Sequence, residues 1–242
     1  MRTPAPEELL ALYERWEGAS PARRALALLA AASDRPPDEL AEWPVGRRDA
    51  ELLRLRERLF GARVVSTAVC PACGERAELD FLAGDVRAED PPAGEPLSLE
   101  VEGFAVTARL PTGADLAAAA EAGGVAQARL ALLERCVLRA DEGGEARAAA
   151  ELPESVVLAL GEGLAAADPQ AEVRLALVCP ACGHGWEALF DIASFLWSEV
   201  AAWGERTLRE VHVLAQAYGW REGDVLALTP WRRRRYLEMA GV

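Results

Sequence analysis

The chain has 242 residues, 51% of them apolar and 27% charged, with a formal net charge of −13, which is enough to bury a sizeable core in one large domain or two small ones. Its longest apolar run, Ala25 to Ala32, falls far short of the roughly 20 residues of a membrane span, and no apolar stretch follows Arg2, so neither an anchor nor a signal peptide is predicted and the cytoplasm is the expected location. Lysine and asparagine are absent, and 26 arginines stand against 39 carboxylates; such a body repels polyanions, so nucleic acid is not the expected partner.

The first third reads as helical. In "PEELLALYERW", Leu9, Leu12, Tyr13 and Trp16 fall on one stripe. Ser20 followed by Pro21 has the form of an N-cap and first helical turn, opening "ARRALALLAAA". A short helical turn is expected between Asp34 and Trp43, and then a helix over "GRRDAELLRLRERLF", with Leu52, Leu55 and Leu59 at helical spacing, stopped by Gly61. After Phe81, "AEDPPAGEP" has the composition of an exposed connector. Leu97, Leu99 and Val101 alternate, as do Phe104, Val106 and Ala108, which predicts two strands about a Glu102-Gly103 turn. Alanine-rich helices are expected around 113–122, 126–140 and 153–167, separated by "DEGG" and ended by "DPQ". Nine of the 15 aromatic residues then crowd between Trp186 and Tyr236. Asp191 is placed to cap a helix that Gly204 interrupts or kinks and Gly219 ends, and Thr229-Pro230 opens a closing helix in which Trp231 and Leu237 are expected to be buried.

The chemistry concentrates in two copies of one turn. "VCPACGERAELDF" begins at Val69 and "VCPACGHGWEALFD" at Val178, with 105 residues between Cys73 and Cys179. Two thiolates three residues apart bind one ion only if the backbone bends tightly between them. Proline sets that bend, and the glycine after the second cysteine takes the positive φ that turns amide hydrogens toward sulfur. Strand-like flanks, "RVVSTAV" and "AELDF" around the first turn and "EVRLALV" and "WEALF" around the second, make each a hairpin with a knuckle at its tip. Cys70, Cys73, Cys179 and Cys182 then supply the four sulfurs of a closed, structural zinc site, one Zn2+ per chain. A redox dithiol and a pair of disulfides are the rival readings; a thioredoxin-type pair opens a helix, whereas here the chain returns as a strand. Ordinary ribbons separate their pairs by roughly 15 to 20 residues, so a whole subdomain must sit between these two hairpins.

The fold class expected is therefore α+β, mostly helical, with a small antiparallel zinc ribbon interrupted by a long insertion. The divisions are 1–62 (helical), 63–83 (first hairpin), 84–170 (insertion), 171–191 (second hairpin) and 192–242 (aromatic-rich helices). His184 reads as an exposed hairpin residue, His212 as a helix-face residue and Cys136 as a small buried hydrophobe. Four successive arginines, Arg232 to Arg235, sweep about 400° around a helix and cannot all face one groove. No nucleophile elbow, phosphate loop or H-E-x-x-H pair is present, and no enzyme is expected. A zinc-ribbon adaptor of transcription or RNA processing is the alternative from a different functional class.

The order "GRRDAELLRLRERLFG", "CPACGERAELDF", "ARLPTGADLAA" with "LLERCVL", "CPACGHGWEALFDIASFLW" and "LREVHVLAQAYGWREGDVLALTPWRRRRYLEM" resembles the T-even-type baseplate hub assembly chaperones of contractile phage tails and related bacterial injection particles, over roughly residues 40 to 240. The C-terminal pattern carries more of that resemblance than the knuckles do. It implies a non-enzymatic protein that helps a phage-like baseplate assemble by holding a hub or spike protein, with the four cysteines as zinc ligands. The aromatic and arginine residues of the last module, Trp197, Trp203, Trp220, Trp231, Arg232, Arg235 and Tyr236, are the candidate partner-binding set.

Overall fold

The computed structural model describes residues 1–88 and 96–241; most of the "AEDPPAGEP" connector lies outside the described residues. Four helices open the chain: α1 (Pro6–Trp16), α2 (Pro21–Ala32), α3 (Pro37–Ala41) and α4 (Val45–Phe60). Prolines at their first turns cost nothing there, because those amides lack helical acceptors. Ser20 occupies the N-cap position of α2, but its side chain makes no capping bond. Gly61, at φ 91°, ends α4 and donates its amide to the Glu57 carbonyl. The hairpin of β1 (Arg63–Val69) and β2 (Arg76–Leu82) follows.

The insertion carries β3 (Leu97–Val101), β4 (Phe104–Ala108), α5 (Gly113–Ala120), α6 (Val125–Cys136), β5 (Val137–Glu142), β6 (Glu145–Ala146) and α7 (Glu154–Ala167). Its strands form one antiparallel sheet in the order β3-β4-β5-β6. The helix expected over 126–140 stops at Cys136, and the next residues are strand. Pairing with β4 is the reason: the Cys136 carbonyl accepts the Arg109 amide at 2.9 Å, Ala140 lies opposite Val106, and Ala140 is buried among Phe104, Val106, Leu152, Val156 and Leu160. A sheet partner overrides helical propensity when it buries the same residues better. "DEGG" is accordingly a hairpin turn, with Gly143 and Gly144 both at positive φ.

The chain returns through β7 (Val173–Val178) and β8 (Gly185–Phe190) to α8 (Ile192–Tyr218), α9 (Glu222–Leu226) and α10 (Pro230–Met239). Asp191 caps α8 by accepting the Ala193 and Ser194 amides, Gly219 ends it in the left-handed conformation, and the Thr229 side chain accepts the Arg232 amide at the start of α10. Gly204 does not break α8, which runs unbroken for 27 residues. It is the point of close approach to α1, since a Cβ there would lie 2.8 Å from Tyr13 Cδ1. The main core gathers Leu9, Leu28, Leu52, Leu55, Leu196 and Val200 from α1, α2, α4 and α8, so the two ends of the sequence share one apolar interior. At α10 the expectation is reversed: Arg233 is buried, Trp231 is 67% exposed and Leu237 is only half-buried. Arg233 turns inward because Glu210 on α8 lies 3.1 Å away to neutralise it.

Helix α4 is capped from far along the chain. The Gly46 amide donates to Asp168 Oδ2 at 2.8 Å, across 122 positions, and a Cβ at residue 46 would fall 1.7 Å from Asp168 Oδ1. A carboxylate over the positive end of a helix is favourable, and only glycine admits it here. Nearby, Asp49 is buried beside Arg48 Nε at 2.7 Å. Burial raises its carboxyl to about 6 against the pull of Arg48, and Asp191 and Asp168 add to the rise. The folded state therefore holds a proton that the unfolded chain, at 3.8, has released. Stability falls as pH rises through that window, and the full cost of the charged Asp49 stands above pH 6. In Asp49→Asn, whose amide oxygen still accepts from Arg48, the loss of Tm between about pH 4 and pH 6 should be smaller than in the parent, as read by thermal melts across that range.

Candidate metal centre

Each knuckle is built by the same two backbone hydrogen bonds and one glycine at positive φ. In the first, the Cys70 amide donates to the Glu75 carbonyl (2.8 Å), the Gly74 amide donates to the Cys70 carbonyl (2.9 Å), and Gly74 takes φ 76°. In the second, Cys179 donates to His184 (2.9 Å), Gly183 to Cys179 (2.9 Å), and Gly183 takes φ 74°. The strands below are in matching register, Val69 opposite Arg76 and Val178 opposite Gly185. Along both hairpins one face is exposed and the other buried or half-buried, the alternation a strand must show when only one side is covered. At the base, Phe81 of β2 meets Phe190 of β8 edge to face at 5.4 Å, and Phe190 meets Phe195 of α8 at 5.4 Å.

The tips converge. The Sγ atoms of Cys70, Cys73, Cys179 and Cys182 all lie within 4.8 Å of one another, close enough to hold a metal ion. The nearest pairs cross between the knuckles, Cys70 to Cys182 at 3.8 Å and Cys73 to Cys179 at 3.6 Å. A sulfur tetrahedron around an ion with bonds of about 2.3 Å has edges of about 3.8 Å, whereas a disulfide needs about 2.05 Å. The donor set thus has the dimensions of a four-sulfur site, and no disulfide joins any of the four. Cys70 and Cys179 are buried and Cys73 and Cys182 exposed, so the cluster sits at the surface with one sulfur of each knuckle facing inward.

The sulfurs also oppose one another electrostatically. The Cys182 and Ala181 amides hold Cys179 down to about 7. The Glu75 amide favours the Cys73 thiolate, yet the Cys182 and Cys179 sulfurs push that thiol up to about 12. Cys182, despite the His184 amide and the Cys73 sulfur, is raised by burial and by the Cys179 and Cys70 sulfurs. Thiolates held this close repel one another, and a divalent cation between them removes that repulsion.

The remaining candidates fall outside this centre. His184 is exposed and stacks on Trp186 at 6.4 Å, and His212 is exposed on α8. Cys136 is buried with Sγ 4.0 Å from Asp115, and burial pushes its thiol up to about 11, the reverse of what a nucleophile needs. Of the candidate partner-binding residues, Trp197 is 5% exposed and belongs to the main core, and Trp203 is half-buried against that core. Trp220 and Tyr236 are half-buried, and with Tyr218 they form a cluster of rings 4.8 to 5.7 Å apart that docks α10 onto the end of α8. Trp231, Arg232 and Arg235 are exposed on α10. Sequence reasoning missed the buried Asp115, which accepts from Arg109 at 2.6 Å and from Arg135 at 2.6 Å while capping α5 with Thr112. Its only sequence signal was the T-x-x-D spacing of a capping box. No helix is long and apolar enough to cross a membrane among the described residues.

A protein-family model described as T4 bacteriophage base plate protein matches residues 28–197. That segment contains both knuckles and the whole insertion, and it stops at Trp197, so the C-terminal pattern that weighed most in the sequence resemblance lies beyond it. Comparison with curated proteins and with solved structures gave no significant match. With well over half of its length matched, including all four converging cysteines, the chain belongs to the T4 bacteriophage base plate protein family.

Proposed function

We propose that this protein is a non-enzymatic assembly factor of a contractile, phage-like baseplate, either a chaperone or a retained component, which holds a hub or spike protein on its C-terminal helices and is braced by one structural zinc ion. The observation that carries the reading is the closure of the four-sulfur cluster by turns 105 residues apart. Four protein sulfurs leave no open position for substrate or activated water, so the ion's work is mechanical. Zinc fits because four thiolates in tetrahedral array suit zinc or iron-sulfur chemistry, and a single ion fills a tetrahedron of these dimensions. Purified protein is expected to be colourless with one zinc per chain by elemental analysis; a visible charge-transfer band with iron in its place would reject the assignment.

The partner face is assigned to α10, the one part of the candidate set that combines a large exposed aromatic side chain with arginines, residues that dominate binding energy at protein interfaces. Removing residues 193–242 is unsuited as a test, because α8 supplies Leu196 and Val200 to the main core. Truncation after Leu228 removes α10 alone. The truncated chain should keep its zinc and lose capture of purified hub and spike proteins encoded with it. Full retention of capture would place the partner face elsewhere.

A further inference from the structure

A concavity lies on the insertion, outside the cysteine cluster. It is an open groove of about 640 Å³ between α6 and α7, reaching β7 at Arg174. Its floor and walls are apolar, with Leu132, Leu133, Val157, Leu158, Gly161 and Ala165 among them. Leu158 is 57% exposed. Three carboxylates, Glu154, Glu162 and Glu172, stand on the rim with Arg129 and Arg174; those two arginines are engaged by Glu154 and Glu172, which leaves Glu162 without an ion-pair partner among the described residues.

Gly161 in the middle of α7 is unexplained within one chain. The other close-packed glycines have reasons on the page: a Cβ at Gly163 would lie 2.8 Å from Leu97 Cδ2, and one at Gly204 would strike Tyr13. A Cβ at Gly161 would meet nothing within 4 Å. Glycine inside a helix lowers helix stability relative to alanine, and a place where another chain segment must come close is a reason to keep it.

A matching projection exists on α10. Trp231, Arg235 and Met239 recur at i, i+4 and i+8 along α10, on the face opposite buried Arg233. Trp231 is 67% and Met239 72% exposed. Arg235 lies over the Trp231 ring at 5.6 Å and is paired with Glu238 at 2.8 Å, while Arg232 and Arg234 have no carboxylate partner among the described residues. This is an apolar knob ringed by cations, facing outward from a chain whose other residues carry its whole negative charge, since residues 193–242 hold 7 arginines against 6 acidic residues. Helix α10 packs on α8 while the groove belongs to the insertion.

We infer that the α6–α7 groove receives α10 of a second copy of this chain, with Trp231 and Met239 in the apolar trough over Gly161 and the arginines against Glu162, Glu154 and Glu172. The inference rests on the reading of α10 as a contact face and names its occupant. Because knob and groove are different surfaces, the contact is heterologous and propagates head to tail into rings or open chains. One helix in one groove is a small interface, so association is weak and concentration-dependent. A hub protein and a second copy compete for the same face.

Analytical ultracentrifugation of the zinc-loaded full chain over rising concentration tests this directly. Species larger than a dimer are expected at high concentration. Trp231→Ala should weaken association by about thirtyfold, the loss typical of a central aromatic anchor. Gly161→Leu fills the groove without a clash inside the chain and places a stronger helix former in α7, so it should melt no lower than the parent and yet fail to self-associate. Mixing Trp231→Ala with Gly161→Leu should give 1:1 dimers that grow no further, because one variant retains only the groove and the other only the knob. A parent chain that stays monomeric while capturing hub or spike protein through α10 would overturn the inference and leave the proposed function standing. Self-association unchanged by both variants, or Arg232 and Arg234 spent instead on random nucleic acid at physiological salt, would overturn it as well.

Discussion

If the cluster holds zinc as proposed, Cys70→Ser should leave the purified chain without bound metal and lower its melting temperature by about 10–20 °C, the shift that a loss of about 4–5 kcal/mol produces in a domain of this size. Serine's hydroxyl does not replace a thiolate as a soft ligand, and the three sulfurs left behind cannot close the tetrahedron. The loss is large because the ion's binding energy is folding energy for a contact between segments that nothing local brings together. Below the tips, the hairpins meet through Phe81 and Phe190, a contact worth about 0.5–1.5 kcal/mol beyond its buried area. Cys136→Ser, a substitution at a buried cysteine outside the cluster, should bind metal as the parent does and serves as the control for general damage. Zinc content by mass spectrometry and melting by circular dichroism, read on the same samples, decide the matter; a Cys70→Ser protein that binds no metal and melts with the parent would show that packing alone closes the hairpins.

The second large effect is expected at Arg56. Its side chain is 3% exposed and its Nη2 lies 2.7 Å from Glu199 Oε1, with Nε donating to Glu199 Oε2 at 2.9 Å and Nη1 to the carbonyls of Gly61 and Arg63 at 2.7 Å each. One guanidinium thus ties α4 to α8 and both to the start of β1. Arg56→Met should destabilise by about 3–5 kcal/mol, because it leaves a carboxylate and two carbonyls without their donor, and should lower the melting temperature by roughly 10 °C. Arg56→Lys should recover little, since an ammonium cannot reproduce the fork that serves four acceptors. The double variant Arg56→Met with Glu199→Leu should recover part of the loss by removing the stranded charge as well. Urea titrations of the four proteins measure each term.

Much of the outline is written in local signals. Gly61, Asp191, Gly219 and Thr229 end or start helices through short-range chemistry, and the repeated C-P-A-C-G turn declares its own geometry. What escaped depends on distant residues. Nothing near Gly46 announces that Asp168 will cap its helix, and nothing near Gly204 announces Tyr13. The end of α6 is ambiguous in the sequence because "LLERCVLRA" satisfies a helical pattern and a strand equally, and only pairing with β4 decides between them. At α10 composition points Trp231 and Leu237 inward; Glu210 instead draws Arg233 in, and Trp231 faces out. The four cysteines were legible because spacing and chemistry agree. The contact face was not, because exposure is a property of packing.

The separation of the two knuckles also sets a clock on biosynthesis. At about 5–20 residues per second, translation from Cys73 to Cys179 takes roughly 5–20 s, and through that interval the first hairpin leaves the ribosome as a two-thiol half-site with an incomplete ligand shell. Cys70 and Cys73 are then open to oxidants and to competing ligands, and an ion can be sealed in only after Cys182 has emerged.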